Sequence, residues 1–103
     1  MPQPFIRKTA IEEVVIGLDF TDEVPAGTEI DTCACSARVR RTEADATSVI
    51  LASGTDAVVD AVANTAKITV NGGVRGTMYE VIFTATLDDA QTIAGKHLVM
   101  VDE

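Results

Sequence analysis

The sequence predicts an all-β protein: a two-layer antiparallel sandwich of about seven short strands. Three observations carry this. Apolar residues alternate with polar ones at a period of two in several runs, the pattern of strands with one buried face. The runs recur at the 8–12 residue spacing of a sandwich, separated by Gly, Pro and Asp turn signals. A chain of 103 residues that is 47% hydrophobic but only 4% aromatic can support one core, and that core must be built from Val, Ile, Leu and Ala.

Each element follows in chain order. In "MPQPFIRKTA", Pro2 and Pro4 limit helix while Phe5 and Ile6 are apolar, so residues 1–10 read as a candidate flexible arm that orders on a partner. Val14, Ile16, Leu18 and Phe20 then alternate with Glu13, Gly17 and Asp19 as a strand, and Pro25 and Gly27 mark a turn. From Asp31, the odd positions Cys33, Cys35, Ala37 and Val39 form one face and the even positions, with Arg38 and Arg40, form the other. Two thiols face inward and the guanidiniums of "RVRR" (Arg38, Arg40 and Arg41) face outward. Cysteines two apart in a strand close only a small strained ring, so both read as buried, reduced thiols.

After a polar segment, "VILA" (49–52) reads as a strand before a Ser53-Gly54 turn. Residues 55–66 satisfy two templates: Thr55 as cap with Val58, Val59 and Val62 at helical spacing, or a strand. Strand is favoured because Val and Asn are mediocre helix formers in so short a segment. "KITV" (67–70) is a strand, and Tyr79, Val81, Phe83, Ala85 and Leu87 alternate through the longest strand pattern, expected at the centre of a sheet. "DDAQ" supplies a hairpin turn and "KHLVMV" the final strand.

Charge and motifs narrow the function. Sixteen acidic residues against eight basic ones, a formal charge of −8, oppose nucleic acid and anionic lipid as partners. No apolar stretch is long enough to span a bilayer, and the first ten residues lack the apolar core of a signal peptide. "GVRG" (73–76) matches the GXXG loop of KH domains, but that loop joins helices and strand patterns flank this one. Phosphate-loop and dinucleotide consensus sequences also fail. The run therefore reads as a turn, with Gly72, Gly73 and Gly76 supplying conformations that other residues resist.

Tyr79 follows at the start of the next strand, two residues before inward-facing Val81. This is the placement of the corner tyrosine of immunoglobulin domains, with Val81 where a core cysteine would stand. No serine sits in a nucleophile motif, and the lone His97, beside Lys96, reads as a surface or edge residue with no catalytic partners. Cys33, Cys35 and His97 do not form a recognised zinc pattern. Asp19, Asp22, Glu23, Asp88 and Asp89 read as solvated turns in preference to a calcium site. No enzyme, cofactor, metal site or small-molecule substrate is expected.

The "AGTEI" turn and "VNGGVRGTMYEVIFTAT", with its paired glycines, spaced Gly76, Y-x-V and alternating threonines, resemble the small immunoglobulin-like proteins of tailed-phage structural gene clusters described as fibre-to-tail adaptors. The resemblance covers about Ile11 to Val101 and is most specific over Asn71 to Thr86. It implies a single immunoglobulin-like domain over residues 1–103, with strands through "DAVVDAVA". It further implies a non-enzymatic virion protein, assembled in the host cytoplasm, that docks tail or fibre components and associates with other virion proteins and with its own copies. Phe5, Ile6, Arg38, Arg40 and Arg41 are the candidate interface residues. A head-decoration or neck protein of the same fold is one alternative. A carbohydrate-binding adhesin-like module is another, opposed by the shortage of aromatic rings for stacking on sugars.

Overall fold

In the computed structural model, which describes residues 4–102, seven strands form two sheets with one short helix. The strands are β1 (Phe5–Thr9), β2 (Val14–Asp19), β3 (Ile30–Val39), β4 (Val58–Asp60), β5 (Thr65–Val70), β6 (Met78–Leu87) and β7 (Thr92–Asp102); helix α1 is Thr47–Ile50. One sheet has the order β1-β7-β6-β3 and the other β2-β5-β4. The core lies between them: Cys33, Cys35 and Ala37 of β3 and Tyr79, Val81, Phe83, Ala85 and Leu87 of β6 face Ile16, Ala66, Ile68 and Val70 of the smaller sheet. Strand β7 packs on β2 without side-chain bulk at Gly95, where an added Cβ would lie 2.8 Å from Leu18 Cδ1.

The two-layer, strand-built architecture is the expected one, as are β3 with its thiols inward, β5, the hairpin turn before β7, and β6 as an interior strand of its sheet. Three expectations are corrected. First, the sheet is not wholly antiparallel, because β1 pairs with β7 in parallel, Phe5 opposite Leu98 through Thr9 opposite Asp102. Of the expected arm, residues 1–3 lie outside the described residues and Phe5–Thr9 is this strand. It covers what would otherwise be an open edge of β7.

Second, "VILA" is not a strand. Ile50 and Leu51 are consecutive and both buried, which a strand with one buried face does not give and a helical turn permits. Asp45 starts the turn by accepting from the Thr47 backbone N–H at 3.1 Å. The Thr47 hydroxyl in turn accepts from Ala37 N–H at 3.0 Å, tying α1 to the edge of β3. Third, residues 55–66 are not one strand: they hold the Asp56 bridge to Ala34, the three-residue β4, a turn and the first two residues of β5, so the favoured strand is present only in pieces. The segment finishes covering β3, since Cys35 N–H donates to Thr55 O and Ala57 N–H to Cys33 O.

Strand β7, at 11 residues, spans roughly 35 Å at ~3.3 Å per residue. It therefore runs along the 44 Å axis of the 44 × 26 × 20 Å molecule. The β2–β3 and β6–β7 connections lie at one end of that axis. The turns after β1, β3 and β5 lie at the other.

Candidate functional site

Two places gather the residues singled out by sequence: the glycine-rich corner between β5 and β6, and the outer face of the four-stranded sheet with the hollow at its end.

At the corner, Gly72, Gly73 and Gly76 adopt φ of 64°, 100° and 79°, in the left-handed region that glycine enters without a steric cost. Space matters as much as φ at Gly73, because a Cβ there would lie 2.7 Å from Val101 Cγ2 and 3.3 Å from Tyr79 Cε2. The glycine lets the loop lie directly on the core. Tyr79 is buried, and its hydroxyl oxygen accepts a hydrogen bond from Val74 N–H at 2.8 Å, five residues upstream. Ring and hydroxyl together fix the loop to the strand that follows it. The GXXG run stands between two strands, not two helices.

Lys8 completes this end of the molecule. It shares the inward face of β1 with Ile6, is only 2% exposed, and its Nζ donates to Gly72 O and to Thr9 O, each at 2.6 Å. Burial pushes its pKa down and the nearby Glu12 carboxylate partly restores it. Glu12 accepts from Thr9 N–H at 2.8 Å, and that hydrogen bond holds its carboxyl below the ordinary value. Sequence reasoning missed Lys8, because a charged residue in a polar N-terminal stretch gives no sign of burial. Its i, i+2 spacing from Ile6 was the one available signal.

On the outer face, strand register places Phe5, Leu98, Glu80 and Arg38 in one row across all four strands. Phe5 is 49% exposed, whereas Glu80 and Leu98 are buried despite facing outward. Glu80 is held between two cations: Arg38 Nε donates to Oε1 at 3.0 Å and Lys96 Nζ lies 3.7 Å from Oε2. Arg38 also reaches Glu43 at 3.5 Å. It is thus committed to its own sheet. Ile6 belongs elsewhere, facing inward against the core, so of the two apolar candidates only Phe5 is presented outward.

The next row toward the end of the sheet pairs Met78 with Met100. These two methionines, with Val39, Gly76 and Thr77, line a hollow of about 620 Å³ whose rim carries Arg40, Arg41 and Thr42. The Arg40 guanidinium lies against the Met78 sulfur at 3.5 Å. Arg40 and Arg41 are exposed, and neither makes an ion pair among the described residues.

The remaining candidates are dispersed. Cys33 and Cys35 are free and buried; the hydrogen bond between the thiols, reinforced by burial, pushes Cys35 far up and keeps it protonated. His97 is corrected from a surface residue to a buried one on the inner face of β7. Desolvation lowers its pKa, against an opposing contribution from the Leu98 carbonyl 2.9 Å from Nδ1. Among the described residues, no group of three or more His, Cys, Asp or Glu side chains is placed to hold a metal, and no helix is long and apolar enough to cross a membrane. The chain, compared with known proteins, matches no family model, no curated protein and no solved structure.

Proposed function

We propose that this chain is a non-enzymatic structural protein of a tailed-phage virion, an adaptor of immunoglobulin-like type that docks tail or fibre components through protein–protein contacts. The observation that carries the reading is the arginine-rimmed methionine hollow, continuous with the outer face that presents Phe5. Flexible methionines beneath unpaired guanidiniums make a surface suited to a protein partner with both apolar and acidic groups. The Tyr79 hydrogen bond to the Val74 amide supports the immunoglobulin-like component, since it joins the strand to its upstream corner as such tyrosines do. The carbohydrate reading is weakened by the aromatics themselves. Phe20, Tyr79 and Phe83 are all buried, which leaves Phe5 as the one ring available for stacking.

The test is deletion of the gene from a phage that carries it, with complementation in trans. Loss of the protein should yield particles lacking tail appendages by negative-stain electron microscopy. Wild-type protein should restore them, and R40E/R41E should not. Intact, infectious particles from the deletion would overturn the proposal.

A further inference from the structure

The charges of this molecule are sorted along its length. At the end opposite the arginines, the β2–β3 loop carries Asp22, Glu23 and Glu29, β4 ends on Asp60, and the β6–β7 turn carries Asp88 and Asp89; all are exposed and no lysine or arginine stands in these connections. At the arginine end, carboxylates are present but engaged. Asp102 pairs with Arg7, Glu43 with Arg38, Asp45 bonds Thr47, Glu12 accepts from Thr9 N–H, and Glu13 accepts from Ser53 and Asn71 at 3.5 Å. The exposed cations left without an ion pair there, among the described residues, are Arg40, Arg41 and Arg75; Lys8, also unpaired, is buried against backbone carbonyls.

One acidic loop also has the shape and chemistry of the hollow. Its tip, Pro25-Ala26-Gly27, is small, exposed and largely apolar, and Asp22 and Glu23 precede it. It is held by its own hydrogen bonds, Val24 N–H to Phe20 O at 3.0 Å and the Thr28 hydroxyl to Pro25 O at 2.6 Å, so little ordering entropy is lost when it docks. The tip matches the Met78 and Met100 floor, and the carboxylates match the guanidinium rim.

We infer that the β2–β3 loop of one copy seats in the arginine-rimmed hollow of a second, so that copies of this chain join head to tail. Loop and hollow are different surfaces at opposite ends of the long axis, so the end-to-end contact is heterologous: in a joined pair one copy keeps an unused hollow and the other an unused loop. The assembly then grows until it closes as a ring or continues as a filament.

The experiment is sedimentation velocity of the full chain from roughly 10 µM to 1 mM, the affinity range of a small charge-guided interface. Association of the wild type should rise with concentration. R40E/R41E and D22K/E23K should each weaken it by about tenfold or more. An equimolar mixture of the two should associate again, in alternation, since the acidic loop of one variant meets the arginine hollow of the other and the reversed loop meets the reversed hollow. The quadruple charge swap should regain self-association. All four positions are exposed, and circular dichroism verifies that each variant folds. A wild type that stays monomeric throughout, charge reversals that associate as wild type does, or a folded quadruple variant that stays monomeric would each overturn the inference. A monomeric wild type would leave the virion role standing, whereas unaffected particles from the gene deletion would remove that role and leave self-association in place.

Discussion

In the four-stranded sheet, β3, β6 and β7 run for 10 or 11 residues, and the inner face of β6 from Tyr79 to Leu87 is sealed from water. The three-stranded sheet is built from strands of three to six residues, and its outer face leaves Val15 and Val58 open to solvent. The first sheet supplies most of the buried apolar surface and the second acts as a cover laid on it. Even the outward face of the large sheet is partly closed, by the Arg38–Glu80–Lys96 group and by Phe5 beside Leu98. Stability should therefore be concentrated in the large sheet. Tolerance should be concentrated in the small one.

The largest test of that contrast is a pair of substitutions read by urea denaturation. Phe83→Ala, in the sealed row, should cost about 3–5 kcal/mol, a large share of the stability of a domain this size. Val58→Thr, at a side chain 76% exposed, should change stability by no more than about 0.5 kcal/mol. Comparable costs at the two sites would dissolve the distinction.

Next in size is the corner that joins the sheets. Gly73→Ala meets a positive φ and an obstructed Cβ position, while Gly27→Ala meets a positive φ of 87° with nothing within 4 Å. Backbone strain alone costs on the order of 1–3 kcal/mol, so both variants should be destabilised and Gly73→Ala clearly more so. Equal losses would show that the loop can lift off Val101.

The smallest effect is a pH dependence from His97. Its folded pKa lies below the ordinary value of 6.5, so as pH falls the unfolded chain takes up the proton first. The contribution is intact above about pH 6.5 and is lost as pH drops toward the folded value. Melting temperature should decline between pH 7 and pH 5, and His97→Gln should flatten that decline. Glu12, Asp19 and Asp45, whose pKa values are lowered by hydrogen bonds from Thr9, Thr21 and Thr47, lose their contributions at lower pH, below about 4.5. An unchanged slope in the variant would place the titrating group elsewhere.

Sequence legibility divides along the same line. Strands β3 and β6 could be read because long alternation survives the mixing of Ala, Thr and Cys among larger residues, and the register then aligns one face with the core. Tyr79 was legible for a related reason, its position between a glycine run and the first core valine. The edges were not. Phe5–Thr9 became a strand because β7 offered it an open rim, a fact that resides in a segment at the far end of the chain. Ile50 took a helical turn capped by Leu51 because Asp45 bonds the Thr47 N–H locally and the Thr47 hydroxyl ties the turn to Ala37, against the β preference of "VILA". His97 was read by residue type and Lys8 was missed, and each is buried with a nitrogen beside a backbone carbonyl that can accept a hydrogen bond. In the candidate site, the arginines were visible in sequence but the methionine floor was not. Met78 and Met100 are brought together only by the β6–β7 pairing.

The parallel pairing of β1 with β7 has a consequence for biosynthesis. Phe5 has no partner until Leu98 has been made, so the nascent polypeptide must carry an unmatched ribbon and an unshielded Lys8 until β7 follows. Sealing waits for β7. A ribosome stalled before β7 would hold a chain whose β6 rim is bare and prone to sticking.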